Sequence, residues 1–200
     1  IATSGFSQIV PPNVALFEDR HESALVRDHI AWRYLAAAER REYAALPPRR
    51  RRQWLNGRVA AKDAVRAYLR GRHGIEAVFP KELRIENDET GAPRIRANVT
   101  TTVPETLHVS ISHKDHFAAA IVGTRAVGID IEKIEARSEG FAQLAFSTQE
   151  LALLEGEGFD VACARGWVVK EVIAKANGTG LQGRLADFVI DGRDGDCLSV

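Results

Sequence analysis

Two stretches about half the chain apart carry the same short pattern, and an internal repeat narrows the available folds more than any local signal does. Gly57-Arg58-Val59-Ala60-Ala61-Lys62-Asp63-Ala64-Val65 resembles Gly166-Trp167-Val168-Val169-Lys170-Glu171-Val172-Ile173 once one gap is allowed. Each copy lies in a helical stretch with a hairpin signal after it. The duplication leads us to expect an α+β fold of two similar α/β subdomains, 1–104 and 105–200, related by a pseudo-twofold axis. The active site is expected in the cleft where they meet.

Composition limits what such a fold can do. With 45% hydrophobic residues among 200, the chain can bury one substantial core or two small ones. Lysine plus arginine number 27 and aspartate plus glutamate 27, so no global field draws the protein to nucleic acid or an anionic membrane. No apolar run approaches the roughly 20 residues that span a bilayer. Cys163 and Cys197 stand far apart without CxxC spacing, which argues against a disulfide framework or zinc site and suits the cytoplasm. Methionine is absent, even at the start, so we expect a domain of a larger multidomain enzyme or an incomplete chain.

Residues 13–18 read as a strand and 24–46 as a helix that Pro47-Pro48 stops. A second helix follows from Arg49 to near Gly71, its apolar residues three and four apart. Leu83–Ile85 and Pro93–Ile95 flank a turn at Thr90-Gly91 and predict a hairpin. Strands are expected at 107–112, 117–122 and 126–132, helices at 147–154 and 162–176, and a last hairpin from Phe188 onward.

In the third of those strands, alternation turns Val127, Ile129 and Ile131 to a core and Gly128, Asp130 and Glu132 to the other face. Two ionised carboxylates brought into one site call for a cation, and a hard divalent ion would satisfy them; a solvated strand face is the other reading. Around Trp167, the stripe Trp167, Glu171, Lys175 has i, i+4, i+8 spacing, with an ordinary Glu–Lys surface pair as its bland alternative.

The joint pattern decides between these. Gly128-Ile129-Asp130-Ile131-Glu132, then Trp167, Lys170, Glu171 and Lys175, with Val109-Ser110-Ile111-Ser112-His113 ahead of both, resembles the 4′-phosphopantetheinyl transferase superfamily. The resemblance covers roughly residues 50–185 and includes Gly57-Arg58, Gly91-Ala92-Pro93, and Phe146 with Glu150. Length and duplication look like its larger, single-chain, pseudo-dimeric Sfp-type group and not the short trimeric group.

The resemblance implies transfer of the phosphopantetheine group from coenzyme A to a serine of an acyl or peptidyl carrier protein, with release of adenosine 3′,5′-bisphosphate. It implies Mg²⁺, or Mn²⁺ in its place, on Asp130, Glu132 and Glu171. Glu171 is the implied general base, Lys175 a cation for the diphosphate, and Lys170 a further catalytic candidate. Arg58, Ser112, His113 and Lys175 are the implied coenzyme A contacts. The expected molecule is a monomer or a domain of a multidomain synthase. The turn Gly91-Ala92-Pro93 lacks the basic residue the family often carries there, so a weaker hold on the 3′-phosphate is expected. Arg49–Arg52 could dock an acidic carrier helix or be a solvated face, and residues 141–154 are a second carrier-docking candidate. A weakly catalytic domain that docks carrier protein or coenzyme A is the rival reading, and a magnesium-dependent nucleotide hydrolase a second.

Overall fold

The computed structural model describes residues 8–10, 13–20, 23–97, 103 and 106–200. The chain divides into two compact α+β units, Ile1–Val127 and Gly128–Val200.

Among the described residues the first unit is an antiparallel six-stranded sheet with three α-helices. Its strands are β1 (Gln8–Val10), β2 (Val14–Glu18), β3 (Leu83–Asn87), β4 (Pro93–Ala97), β5 (His108–Lys114) and β6 (Phe117–Gly123), in spatial order β1-β2-β6-β5-β4-β3. Helices α1 (Ala24–Tyr34) and α2 (Ala37–Ala45) precede α3 (Pro48–His73), which packs along β2, β5 and β6. Proline at the first turn of α3 loses no helical hydrogen bond, and Gly74 ends it in the left-handed conformation, φ 65°. Ala118 and Ala120 of β6 are fully buried, and a Cβ on Gly57 would meet the Ile111 side chain at 3.2 Å. Small side chains on both partners thus bring helix and sheet into close contact. Leu55, Val59, Val65 and Leu69 of α3 complete that core with Phe17, Leu83, Ile85 and Val122.

The helix expected over 24–46 is two helices. Leu35 and Ala36 are extended (ψ 133° and 163°), and the Glu39 carboxylate accepts the Ala36 backbone N–H, restarting the helix there.

The second unit holds α4 (Glu139–Ala145), α5 (Thr148–Leu153) and α6 (Phe159–Ala176), then a two-stranded ribbon, β7 (Gly192–Asp194) and β8 (Cys197–Ser199). Small apolar clusters surround α6: Phe146 with Cys163, Leu154 with Ile190, and Ala174 with Leu181 and Phe188. Phe188 and Ile190 are buried, so the last hairpin starts later than expected.

Two further expectations differ from what is found. The hairpin β5–β6 belongs to the first unit, not to a second subdomain beginning at 105, because β6 pairs with β2 from Val14↔Ile121 to Glu18↔Phe117. Residues 126–132 form no strand: β6 already has β2 and β5 as neighbours, which leaves no place beside it for the chain that follows.

One device occurs in both units. In the first, Lys62 of α3 lies 2.5 Å from Glu39, whose other carboxylate oxygen accepts the Ile85 backbone N–H. In the second, Lys170 of α6 lies 2.7 Å from Glu150, whose carboxylate accepts the N–H groups of Ser147 and Ile190. All four side chains are almost wholly buried. Beyond this clasp the units differ, with six strands against two among the described residues.

Candidate functional site

Each unit carries one candidate feature. In the first it is a pocket of about 380 Å³, within the usual range for small-ligand sites, whose lining includes Arg50, Trp54 and Arg58 of α3, Asn87 and Gly91 of the β3–β4 hairpin, and His113 of β5. Arg58 is 6% exposed, its guanidinium carbon 4.5 Å from the centre of the Trp54 ring. It donates to Asn87 Oδ1 at 3.3 Å, while its Nε has no hydrogen-bond partner among the described residues. Burial lowers the pKa of this guanidinium, and the carboxylates of Glu42 and Glu39 work the other way. A buried cation with a spare donor in a polar pocket is suited to an anion.

Arg58 and His113, both expected at a ligand, are thus brought together. Ser112 is buried one position before His113 and does not line the pocket. The acidic turn beside the pocket is already neutralised: Asp88 accepts from Thr90, Ala92 and Arg94, and these bonds outweigh desolvation and hold its carboxyl at about 2. Gly91 sits in that turn at φ 87°, which favours glycine. Arg50, expected only as part of the Arg49–Arg52 run, and Trp54, expected only as an apolar helix position, line this pocket; one turn apart and preceding Arg58 on α3, they form an i, i+4, i+8 stripe that could have flagged them.

In the second unit the backbone of Gly128 lies against α6. A Cβ there would sit 1.9 Å from the Val172 carbonyl oxygen, so only glycine permits the approach. The contact carries Asp130 to the last turn of α6, where Lys175 places its ammonium 2.6 Å from Asp130 Oδ1 and 3.2 Å from the Ile129 carbonyl. Glu171, one turn earlier, is half-buried. Burial raises its pKa first of all; Lys175 lowers it, and Asp130 and Glu132 raise it further. Trp167 packs its ring 5.7 Å from that of Phe141 and belongs to the apolar packing of α6. Lys170 is 1% exposed, with its ammonium held by Glu150 and by the Leu185 carbonyl at 3.2 Å.

Among the described residues no three acidic, histidine or cysteine side chains are gathered at metal-binding spacing. In donor chemistry, however, Asp130, Glu132 and Glu171 fit a hard divalent ion: all are carboxylates, and Glu171 feels the other two as like charges that a cation would relieve. Among those residues, too, no helix is long and apolar enough to cross a membrane.

The family model of the 4′-phosphopantetheinyl transferase superfamily matches residues 126–196. The chain is 36% identical over 96 residues to a holo-[acyl-carrier-protein] synthase of Geobacillus kaustophilus, covering 48% of this chain and 71% of that protein. A synthase of the same name from Halalkalibacterium halodurans is 32% identical over 118 residues, 57% of this chain and 93% of its own. A crystal structure of a holo-(acyl-carrier-protein) synthase from Bacillus anthracis in complex with CoA (3′,5′-ADP) aligns at 28% identity and a TM-score of 0.45, covering 55% of this chain and 90% of that one. The extent of these sequence matches shows that the chain belongs to the 4′-phosphopantetheinyl transferase superfamily.

Proposed function

We propose that this enzyme transfers the 4′-phosphopantetheine group of coenzyme A to a serine of an acyl carrier protein, releasing adenosine 3′,5′-bisphosphate. The observation that carries the reading is the seating of Asp130 against Lys175, beside Glu171, by a glycine that no other residue can replace.

Asp130, Glu132 and Glu171 are the groups that would hold Mg²⁺, which when bound neutralises diphosphate oxygens. Lys175 supplies a fixed ammonium for charge on the leaving diphosphate. Glu171 is assigned the serine proton; burial, with Asp130 and Glu132 as like charges, raises its pKa against the pull of Lys175 and makes its carboxylate a stronger base. Lys170, engaged by Glu150 and buried, is assigned positioning of α6 and no contact with substrate. The pocket of Arg58 and His113 is assigned the phosphorylated nucleoside end of the donor, with Trp54 as an apolar wall.

We also assign the chain to the single-chain Sfp-type group. The repeated clasp supports an ancestral duplication, since Lys62-Asp63 and Lys170-Glu171 occupy matching places in it. In the first copy Asp63 is engaged by Tyr34 and Arg66, so only the second copy keeps a carboxylate for chemistry. A monomer or a synthase domain, and a cytoplasmic setting for two unbridged cysteines, accord with this reading.

The test is incubation with coenzyme A, Mg²⁺ and a panel of apo carrier proteins, read by intact mass for a gain of roughly 340 Da, the mass of the transferred group. Carrier binding with no adduct on any of them would leave the docking-domain reading.

A further inference from the structure

Around Arg58 the buried charges do not balance. Lys62, one turn along α3, is 0% exposed, as is Glu39, and Arg58 and Asp63 are each 6% exposed; Arg66 answers the charge of Asp63, so Arg58 and Lys62 have Glu39 as their one buried carboxylate. That carboxylate is fully used: Oε2 accepts from Lys62 and from the Ala36 N–H at 2.9 Å, and Oε1 accepts the Ile85 N–H at 3.1 Å. Asp63 is also engaged by Tyr34, and Glu42, which acts on Arg58 more than Glu39 does, does so from an exposed position screened by water.

We infer that the Glu39–Lys62 pair sets the charge of the pocket floor, leaving the Arg58 guanidinium without a buried counter-charge of its own and ready to bind a phosphate-type anion. Glu39 and Lys62 are therefore positioning residues that act through Arg58, and affinity follows the net buried charge. This rests on the reading that the pocket takes the phosphorylated end of the donor. With Glu39 saturated, Arg58 keeps only a long bond to Asn87 and the face of Trp54, so its Nε remains available to ligand. If Lys62 were neutral, Glu39 would be drawn to Arg58 and the floor would carry no net charge. If both Lys62 and Glu39 were neutral, the single positive charge would be restored.

Inorganic pyrophosphate is the probe, titrated calorimetrically into the whole chain in metal-free buffer, with circular dichroism confirming that each variant is folded. The parent binds, and Arg58→Gln abolishes binding. Lys62→Met weakens it on the order of tenfold, the effect of one unit charge a helical turn away at intermediate dielectric. Lys62→Met with Glu39→Gln returns affinity to within about threefold of the parent, because the buried charge is again one cation. The paired variant keeps the test open where Lys62→Met alone does not fold. Parent-like binding by Lys62→Met, or a tenfold loss in a folded paired variant, overturns the inference while leaving the pocket assignment standing. Absent binding by the parent, or full binding by Arg58→Gln, overturns the pocket assignment and this inference with it.

Discussion

Lys175 holds its ammonium 2.6 Å from a carboxylate oxygen of Asp130, tying the last turn of α6 to a segment that belongs to no sheet. The Asp130 side chain is 6% exposed, so the pair is no ordinary surface ion pair. Lys175→Met leaves that carboxylate without its cation and is expected to destabilise by about 1–3 kcal/mol. It also removes the charge assigned to the leaving diphosphate, and transfer should fall about 100-fold or more. Thermal melts and steady-state transfer measure the two effects separately. Full activity in a destabilised Lys175→Met would refute the assignment.

Gly128→Ala tests the same seating from the other side. The new methyl would fall 1.9 Å from the Val172 carbonyl oxygen, an atom of helix backbone that cannot swing aside. The segment must move off α6, at a cost of about 1–3 kcal/mol, and Asp130 must move with it. We expect transfer to drop by more than stability does, which parallel melts and assays at saturating Mg²⁺ would show.

The Lys170–Glu150 clasp predicts a non-additive pair. Either partner alone, as Lys170→Met or Glu150→Gln, strands the other in the interior and should cost about 3–5 kcal/mol. Replaced together by Met and Gln, they should cost far less, and transfer should return with the fold. A folded double variant devoid of activity would make Lys170 a catalytic residue after all. The four melts form a double-mutant cycle.

Much of this was legible from the residues because it rests on local signals. The β3–β4 hairpin, strands β5 and β6, α3 and α6 follow from periodicity and turn residues, whereas Asp130, Glu171 and Lys175 stand out through the family resemblance and their roles are proposals. What eluded the sequence depends on partners distant in the chain. Alternation in Ala126–Glu132 looks like a strand, but β2 and β5 already flank β6, so the chain leaving β6 finds no pairing place beside it. Leu35-Ala36 looks helical until Glu39 offers its carboxylate to the Ala36 N–H. The roles of Glu39 and Lys62 show only when Ile85, 46 residues beyond Glu39, completes the carboxylate's bonds.

Acid should loosen the second unit through Glu150. Burial opposes its charge, yet bonds from Lys170, Ser147 and Ile190 prevail and hold the carboxyl below its ordinary 4.5. A carboxyl lowered in the folded state adds stability above the unfolded value and gives it up as pH falls through the folded one. The parent's melting temperature should therefore drop between about pH 5 and pH 3, and the Glu150→Gln, Lys170→Met pair should drop less. Equal slopes would remove Glu150 from the account.

Glu171 has the opposite sign. Burial first, then Asp130 and Glu132, raise its pKa against the pull of Lys175, so the folded chain binds this proton more tightly than the unfolded chain. Such a group costs nothing below its ordinary 4.5, and its cost grows as pH rises through the raised folded value. At neutral pH, Glu171→Gln should accordingly melt no lower than the parent, while losing transfer by about 100-fold or more because no carboxylate remains to accept the serine proton. Added Mg²⁺ should raise the parent's melting temperature by relieving the repulsion and raise that of Glu171→Gln less. A variant that transfers normally would dismiss Glu171 as the base, and equal metal shifts would dismiss it as a ligand.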